Sequence, residues 1–429
     1  MKLRLILTSL LLLASALAGA QEAAVPAQAQ TPEENPPSGL ARWLNPSTAP
    51  LIPVPEIDLD PYSGTTLGLI GVFLITNEDH EIRKIVAPDI IHNANFGTGV
   101  RGRIFAYPSD NTQWSIVGGM KERIESEFDA EYAAGLLRQD PWSFSASAVY
   151  DRSGSPRFFG VGNESPLEHQ TNYIDEQRFV QMTLGRNLTP QWQLAYTARA
   201  RNVEILPGRL PGLVPIEQLF PSVTLRSERR EILNRVAVIY DTRDDRTVPT
   251  RGMRWYAYVG AASGAHLIQG DLYSEAGIDG RYFLPLGRDA TLVMHAAMRQ
   301  MPHTAHTRDI PFWALSSIGG DRAIDGGDQP LRGFGAGRYR DRNSFSASLE
   351  YRRRVWSFDA FATHVALELA PFVDSGRVYS NAGTNPFGSL HVVEGAGVRA
   401  IATPFVVGYL DVGHGSEGTV IFTGINYPF

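Results

Sequence analysis

The chain has 429 residues, of which 43% are hydrophobic and none is cysteine, and 39 Lys and Arg face 45 Asp and Glu for a formal net charge of −6. That length suits one large barrel or two to three ordinary domains. The mean hydropathy of −0.16 excludes a helical membrane protein, and the acidic balance excludes a general nucleic-acid binder. Without cysteine, the chain has neither disulfides nor a cysteine-linked lipid.

The first twenty residues have the three parts of a secretory signal peptide. Lys2 and Arg4 supply positive charge, residues 5–17 are almost entirely apolar, and residues 18–20 are small, as cleavage requires. The apolar stretch is too short to span a membrane as a helix, so a signal anchor is the less favoured alternative. We predict a signal peptide over residues 1–20 and a mature protein that begins at or near Gln21.

The remainder divides into two regions of different composition. Residues 21–60 are rich in Ala, Pro, Gln and Glu and predict a disordered periplasmic linker. Residues 61–429 break into alternating segments of about ten residues separated by turns, which is typical of an all-β protein forming a single transmembrane antiparallel barrel. The predicted strands, about sixteen in number, are 64–76, 92–107, 113–122, 125–136, 142–151, 173–187, 191–204, 234–242, 253–260, 268–284, 290–301, 344–355, 363–378, 391–401, 404–412 and 418–429.

The connections between these strands differ in length according to the end of the barrel on which they lie. An even number of strands puts both termini in the periplasm, where turns are short, and leaves the long loops outside. Short connections include 188–190, 285–289 and 402–403. The long connections, all predicted to be extracellular, are 77–91, 152–172, 205–233, 302–343 and 379–390.

One segment, Pro330–Phe334, places an arginine in a long loop just before two strands that carry carboxylates on their polar faces. In the strand 344–355, Glu350 lies opposite the apolar positions, and in the strand 363–378, Asp374 does the same. The two strands are neighbours, so both carboxylates are within reach of one side chain. Arg332 is therefore predicted to pair with Glu350, Asp374 or both.

The motifs Leu331-Arg332-Gly333-Phe334, Leu349-Glu350-Tyr351-Arg352 and Phe372-Val373-Asp374-Ser375-Gly376 resemble those of the BamA/TamA superfamily of outer-membrane barrels, of the bacterial surface antigen type. The resemblance extends over roughly the whole barrel. It implies that a long sixth extracellular loop folds into the lumen. There Arg332, Gly333 and Phe334 would form a structural brace with Glu350 and Asp374. Family members usually carry periplasmic POTRA modules, each longer than residues 21–60, so we expect a short form lacking POTRA domains.

The resemblance also directs attention to the seam where the first and last strands meet. In insertase relatives this seam opens laterally. Gly64, Gly68 and Gly71 weaken pairing of the predicted first strand, and Pro428 cannot donate a ladder hydrogen bond. The last strand ends on Phe429, a terminal aromatic that resembles the address read by the barrel-assembly machinery. The alternative is that glycine is simply frequent throughout the chain.

Residues of the types used in catalysis are present, but not in catalytic patterns. There is neither a nucleophile elbow nor a His-Glu-x-x-His motif, so we predict no enzyme, no catalytic residue, no metal and no cofactor. His303 and His306, which are spaced to share a metal, and the acidic segment 78–81 are interpreted as solvated loop residues. The histidines on or near predicted strands are His92, His295, His364, His391 and His414.

Three functions remain open from the sequence. The first is an insertase or translocase that handles membrane proteins or lipids at the seam, and its client is not identifiable. The second is a passive pore or structural barrel, and the third is a barrel lipid hydrolase. The expected partners are outer-membrane lipid, lipopolysaccharide and, during its own insertion, the barrel-assembly machinery, but no nucleic acid. The expected location is the outer membrane of a Gram-negative cell, reached after signal-peptide cleavage.

Overall fold

The computed structural model describes residues 51–77, 82–222, 229–264, 272–302, 310–321, 328–360, 363–402, 406–425 and 427. Within these ranges, no helix is both long and apolar enough to cross a lipid bilayer. The predicted signal peptide and most of the predicted linker, as well as residues 78–81, His303, His306 and Phe429, lie outside them.

Eighteen antiparallel strands form one nearly closed barrel, and each strand pairs with the next along the chain. The predicted all-β antiparallel barrel is thus confirmed. The strands are β1 Leu51–Asp60, β2 Gly64–Thr76, β3 Ile82–Asn93, β4 Gly97–Ser109, β5 Thr112–Lys121, β6 Ser126–Ala134, β7 Trp142–Ser153, β8 Thr171–Asn187, β9 Trp192–Pro207, β10 Arg229–Asp241, β11 Gly252–Ser263, β12 Tyr273–Pro285, β13 Ala290–Gln300, β14 Asn343–Ala360, β15 Thr363–Tyr379, β16 His391–Ala402, β17 Val406–Gly415 and β18 Gly418–Ile425.

Two strands exceed the sixteen predicted, and both lie near the N-terminus. The predicted linker is wrong over its last ten residues, because β1 pairs with β2 from Leu51 to Asp60. The prolines of β1 obscured it in the sequence, yet proline is tolerated on an edge strand. The predicted extracellular loop 77–91 is also wrong, because most of it is β3. Apolar residues on both faces of β3 hide its alternation, since Ala87 and Ile91 point inward.

Side chains alternate between the outer wall and the lumen along each strand. In β14, Leu349 is exposed on the outer wall, whereas the neighbouring Ser348 and Glu350 are buried inside. In β15, Leu369 and Val373 are exposed and Asp374 is buried. The outer wall is therefore apolar and the lumen polar, as a membrane-spanning barrel requires.

The four longest connections, 154–170, 208–228, 301–342 and 380–390, lie at one end of the barrel, as predicted for the extracellular side, whereas the short connection that remains of the predicted loop 77–91 lies at the other end. Two of them matter below: the cap loop, residues 154–170, and the lumen loop, residues 301–342. Inside the lumen loop, the strands Ser316–Ile318, Asp328–Gln329 and Tyr339–Asp341 form a small three-stranded sheet. Because β1 and β3 add one extracellular connection, the lumen loop is the seventh at this end rather than the sixth.

Candidate functional site

Arg332 lies at the centre of a buried ionic cluster inside the barrel. Its Nε and Nη2 donate to the two carboxylate oxygens of Asp374, each at 2.9 Å. Its Nη1 donates to Glu350 at 2.5 Å and to Asp411 at 3.2 Å, and Nη2 also donates to the Ser348 hydroxyl at 3.2 Å. All five guanidinium N–H groups thus have a partner, which is the condition under which a charged arginine can be buried.

A backbone hydrogen bond and a cation–π contact also hold Arg332 in place. The Arg332 amide donates to Asp374 Oδ2 at 3.1 Å, and the guanidinium carbon lies 3.4 Å from the centre of the Phe372 ring. Burial alone would lower the pKa of Arg332, but Asp374 and Glu350 raise it well above its ordinary value. The side chain therefore stays charged at every physiological pH.

Two further arginines complete the cluster and balance its charge. Arg352 Nε donates to Glu350 at 2.6 Å, and Arg399 donates to Glu350 at 3.2 Å and to both oxygens of Asp411. With Arg332 and Asp374, three cations meet three carboxylates. None of the six is more than 2% exposed. The equal number of positive and negative charges limits the desolvation cost of burying this cluster.

Sequence reasoning missed Arg399 and Asp411, which β16 and β17 contribute. Each lies between apolar neighbours on the opposite face, Val398 and Ala400 for the first and Leu410 and Val412 for the second. A single charge at an inward position of a glycine-rich strand was the available signal. It was weak, because the glycines around it carry no side chain to reveal which face is polar.

Glycines allow the Arg332 segment to press its backbone against the barrel wall. A Cβ atom added to Gly413 on β17 would overlap the Arg332 carbonyl, and one on Gly415 would lie 2.9 Å from the Phe334 ring. Conversely, a Cβ on Gly333 would lie 2.7 Å from Val393. The loop segment and the inner wall of β16 and β17 are therefore in direct contact.

Phe334 anchors the same segment through apolar packing. It is 1% exposed and shares a buried cluster with Leu331, Phe372 and Val393. Its ring meets the Tyr339 ring edge-on at 5.4 Å, and Tyr339 in turn stacks on His391 at 3.9 Å. Ionic and apolar contacts thus fix Arg332, Gly333 and Phe334 together.

The lumen loop also contacts both sides of the seam from the extracellular end. Arg338 donates through Nε to Glu417, in the turn between β17 and β18, at 2.9 Å, and through Nη2 to the Ser165 carbonyl of the cap loop at 2.7 Å. On the other side, Tyr62 lies in the turn between β1 and β2. Its ring packs so closely on the lumen loop that a Cβ on Gly335 would overlap it.

The cap loop holds the same first turn. Arg157 Nη2 donates to the Tyr62 carbonyl at 2.8 Å, and the Arg157 guanidinium lies 5.2 Å from the centre of the Tyr62 ring. Phe159 lies beneath Arg338 at 4.1 Å. We call this set of contacts, from Tyr62 through Arg157, Phe159 and Arg338 to Glu417, the seam latch.

Within the membrane, the seam itself is weakly joined. Among the described residues, β1 and β18 share no backbone ladder. Thr423 Oγ1 instead accepts from the Leu59 amide at 2.8 Å and donates to the Ile57 carbonyl at 3.1 Å. Below it, Tyr427 leaves the strand and donates to Glu368 inside the lumen at 3.2 Å.

The glycines predicted at the seam lie one strand away from it. Gly64, Gly68 and Gly71 are in β2, which pairs with β1 on one side and with β3 on the other. The prediction placed them wrongly because β1 was taken for linker. Gly64 has a left-handed φ of 84° and serves the turn instead.

A family model now adds to the geometry. The model described as the Omp85 superfamily domain matches residues 110–405, well over half of the chain. The chain belongs to the Omp85 superfamily. No curated protein sequence matches it. The resemblance to the BamA/TamA type of barrel is confirmed, and an Omp85 barrel is an outer-membrane protein of Gram-negative bacteria.

One solved structure shares the fold, and two others show a weaker likeness. BamA from Haemophilus ducreyi lacking POTRA domains 1–3 superposes with a TM-score of 0.51 at 13% identity, over 83% of this chain and 75% of that one. CdiB from Escherichia coli gives 0.47 at 11% identity, over 89% of this chain and 63% of CdiB. CdiB from Acinetobacter baumannii gives 0.42 at 13%, over 88% of this chain and 59% of that one. This chain therefore spans less than two thirds of either CdiB.

The part of this Omp85 barrel beside the seam encloses a polar cavity. The cavity measures about 320 Å³ and touches both sides of the seam through Asp58 and Thr423. Acidic and basic side chains, among them Arg101, Lys121 and Asp151, line much of the cavity. The lumen is thus filled around Arg332 and open to water behind the seam.

The histidines on the strands have structural surroundings. His295 pairs with Asp279 at 2.8 Å and lies opposite Ser348 in the ladder between β13 and β14. The Ser348 hydroxyl, however, donates to Asp374 at 2.6 Å and accepts from Arg332. The Ser348 hydrogen is therefore directed to Asp374 and not to His295. His92 and His414 each meet a threonine hydroxyl.

Proposed function

We propose that this Omp85 barrel delivers membrane proteins or lipids into the outer membrane through the seam between β1 and β18. The observation that carries the proposal is the contrast between that seam and every other strand pair. Seventeen neighbouring pairs are joined by ladders, whereas the described residues of β1 and β18 meet through the Thr423 hydroxyl. Unpaired backbone at an edge is a template for another strand.

The Arg332 cluster has a supporting role in this proposal. Its six charges come from the lumen loop and from β14, β15, β16 and β17, so they hold the C-terminal half of the barrel to one shape. A rigid half provides a fixed frame against which β1 can move. We assign Arg332, Gly333, Phe334, Glu350 and Asp374 the role of a structural brace.

The seam latch closes the extracellular end of the same passage. Because it contacts the turns on both sides of the seam, strand separation must break either the Arg338–Glu417 contact or the packing on Tyr62. Cargo that leaves sideways through the seam would therefore have to release the latch first.

Photo-crosslinking at the seam tests the proposed delivery. A crosslinking residue replaces the outward-facing Ile57 in β1 or, as a control, the equally outward-facing Val180 in β8. We expect adducts with outer-membrane proteins or with lipids in transit at Ile57 that are absent at Val180. Identical adducts at both positions would assign the contacts to bulk membrane and contradict the proposal.

Spin labels test the latch, and the cysteine-free chain gives an unlabelled background. Labels on Ile57→Cys and Ile421→Cys report the separation of β1 and β18. We expect Arg338→Ala to add a population with a longer separation. Arg342→Ala is the control, because Arg342 donates to the Met301 carbonyl away from the seam. An unchanged distance distribution in Arg338→Ala would show that the latch does not hold the seam.

The polar cavity favours a second candidate function, a passive pore. Planar-bilayer conductance separates it from the first: a steady open pore in the unaltered protein supports the pore, and a mostly closed one supports delivery at the seam. A lipid hydrolase is the third candidate, although Omp85 barrels are in general transporters or insertases. A lipid-hydrolysis assay on the purified barrel tests it directly.

A further inference from the structure

Four arginines gather around one carboxylate at the periplasmic end of the barrel. Arg243 pairs with Asp241 through Nε at 3.0 Å and Nη2 at 2.9 Å. Arg254 is the ladder partner of Asp241. Arg138 reaches the same place from another turn, because its Nη1 and the Asp241 amide both donate to the Gln191 carbonyl. Arg246 lies beside them, because Arg243 Nη1 donates to the Arg246 carbonyl at 3.3 Å, and we call these four arginines the arginine rim.

Two carboxylates that follow Asp241 in the chain are bonded to the backbone of their own turn. Asp244 Oδ1 accepts the amides of Thr250 and Arg251 at 2.9 and 3.1 Å. Asp245 Oδ1 accepts the amides of Thr247 and Val248 at 2.7 and 2.8 Å. These oxygens shape the turn between β10 and β11. Arg254 lies 3.9 Å from Asp279 inside the barrel, so the positive charge available to a ligand comes chiefly from Arg138 and Arg246.

Mutual repulsion within the rim supports this reading. Burial lowers the pKa of the Arg138 guanidinium below its ordinary value, Asp241 opposes the effect, and the other three rim arginines add to it. Arg138 also has a φ of 54°, in the left-handed region that costs energy outside glycine. Arg138 therefore lies beside three like charges in an unfavourable backbone conformation. A bound anion would reduce the repulsion among the four arginines.

Large apolar side chains flank the rim on the membrane side. Leu137 immediately precedes Arg138 and is 46% exposed, and Leu188, in the turn that contains Gln191, is 63% exposed. Trp142 and Trp192 are exposed next to these turns, where aromatic residues mark the edge of the bilayer. Positive charge beside exposed apolar surface matches a ligand with a phosphate and a hydrocarbon tail.

We propose that the arginine rim binds the phosphate of an anionic phospholipid in the periplasmic leaflet of the outer membrane. Arg138 and Arg246 would hold the headgroup, while Leu137 and Leu188 contact its acyl chain. This site is separate from the seam and from the Arg332 cluster. The lipid site therefore does not depend on the function proposed for the seam.

Native mass spectrometry of the purified full barrel, offered phosphatidylglycerol and phosphatidylcholine in equal amounts, tests the site. We expect phosphatidylglycerol to be retained preferentially. The preference should fall about fivefold for each arginine lost in Arg138→Gln and Arg246→Gln, because each basic residue near an anionic surface contributes about 1 kcal/mol. Arg178→Gln is the control, since Arg178 is an exposed outer-wall arginine towards the extracellular end.

Three outcomes would overturn the proposal. The first is equal retention of the two lipids, and the second is a preference that survives the double variant with its heat-modifiable mobility intact. The third is displacement of phosphatidylglycerol by millimolar inorganic phosphate or by polyglutamate, which would assign the rim to free phosphate or to acidic polypeptides. Retention against both competitors supports the lipid.

Discussion

At the scale of single residues, Arg332 matters because no other residue type could occupy its position. Its planar guanidinium satisfies Asp374 with two parallel hydrogen bonds and still reaches Glu350, Asp411 and Ser348. A lysine would offer three donors from one point and could not span these acceptors. The brace therefore depends on the shape of the side chain as well as on its charge.

Removal of the Arg332 side chain should strongly destabilise the barrel. Arg332→Ala leaves carboxylates buried without their partner, and we expect a loss of roughly 3–5 kcal/mol in the free energy of unfolding. The double variant Arg332→Ala, Asp374→Ala should lose less than the sum of the two single variants, because the two side chains interact directly. Denaturant titration and proteolysis of the lumen loop measure this. Strictly additive losses with an intact loop would disprove the coupling.

Substitution of Gly413 should also release the lumen loop, for a steric reason. Gly413→Ala places a methyl group against the Arg332 carbonyl and should push the lumen loop off the wall. Gly408→Ala on the same strand is the matched control, since a Cβ there meets nothing within 4 Å. We expect faster cleavage of the lumen loop by protease in the first variant only. Equal cleavage in both would mean that the close approach is not maintained in the membrane.

The sequence predicted part of this cluster and missed the rest for a definable reason. Glu350 and Asp374 lie in strands whose outward residues are clearly apolar, so their inward direction could be predicted. Asp411 is followed by Gly413 and Gly415 on the same face, and Arg399 follows Gly395 and Gly397. Strands whose inward positions are glycines show little alternation between apolar and polar residues. In addition, the partners of Arg332 come from separate strands that meet only in the folded barrel.

At the scale of the strand, alternation decides what each position tolerates. Val180 in β8 faces outward near the middle of the strand, and Gln181 faces the lumen. We expect Val180→Arg to cost roughly 2–4 kcal/mol in lipid, because it places a charge in the hydrocarbon layer, and Gln181→Arg to cost much less. Reversible unfolding in vesicles measures both. Similar losses at the two positions would contradict the assigned facing.

Strand prediction failed where local composition and tertiary role disagree. β1 contains Pro53 and Pro55 and resembles a linker by composition, yet it is the edge strand of the barrel. Proline survives there because its missing N–H has no ladder to join on the outer side. Amino-acid composition does not reveal that a segment is an edge strand, because the edge is defined only by the folded barrel.

At the scale of the whole molecule, we expect the lumen loop to determine whether the barrel conducts. In the intact protein, the Arg332 cluster lies inside the lumen, and the lumen loop contacts the cap loop and the turns on both sides of the seam at the extracellular end. Release of the loop by Arg332→Ala should therefore raise the frequency of large openings in planar bilayers. Arg178→Gln, on the outer wall, should leave conductance unchanged. Identical traces for Arg332→Ala and the parent would show that the lumen loop is not the barrier.

The position of Asp411 in the chain indicates when the cluster forms during folding. Asp411 is 79 residues beyond Arg332 in the chain, so their bond forms only after β17 has joined the barrel. Contacts that form after the rate-limiting step of folding slow unfolding and leave the folding rate almost unchanged. We therefore expect the Arg332 cluster to determine how long a finished barrel survives in the membrane, and to have little influence on how quickly one is made.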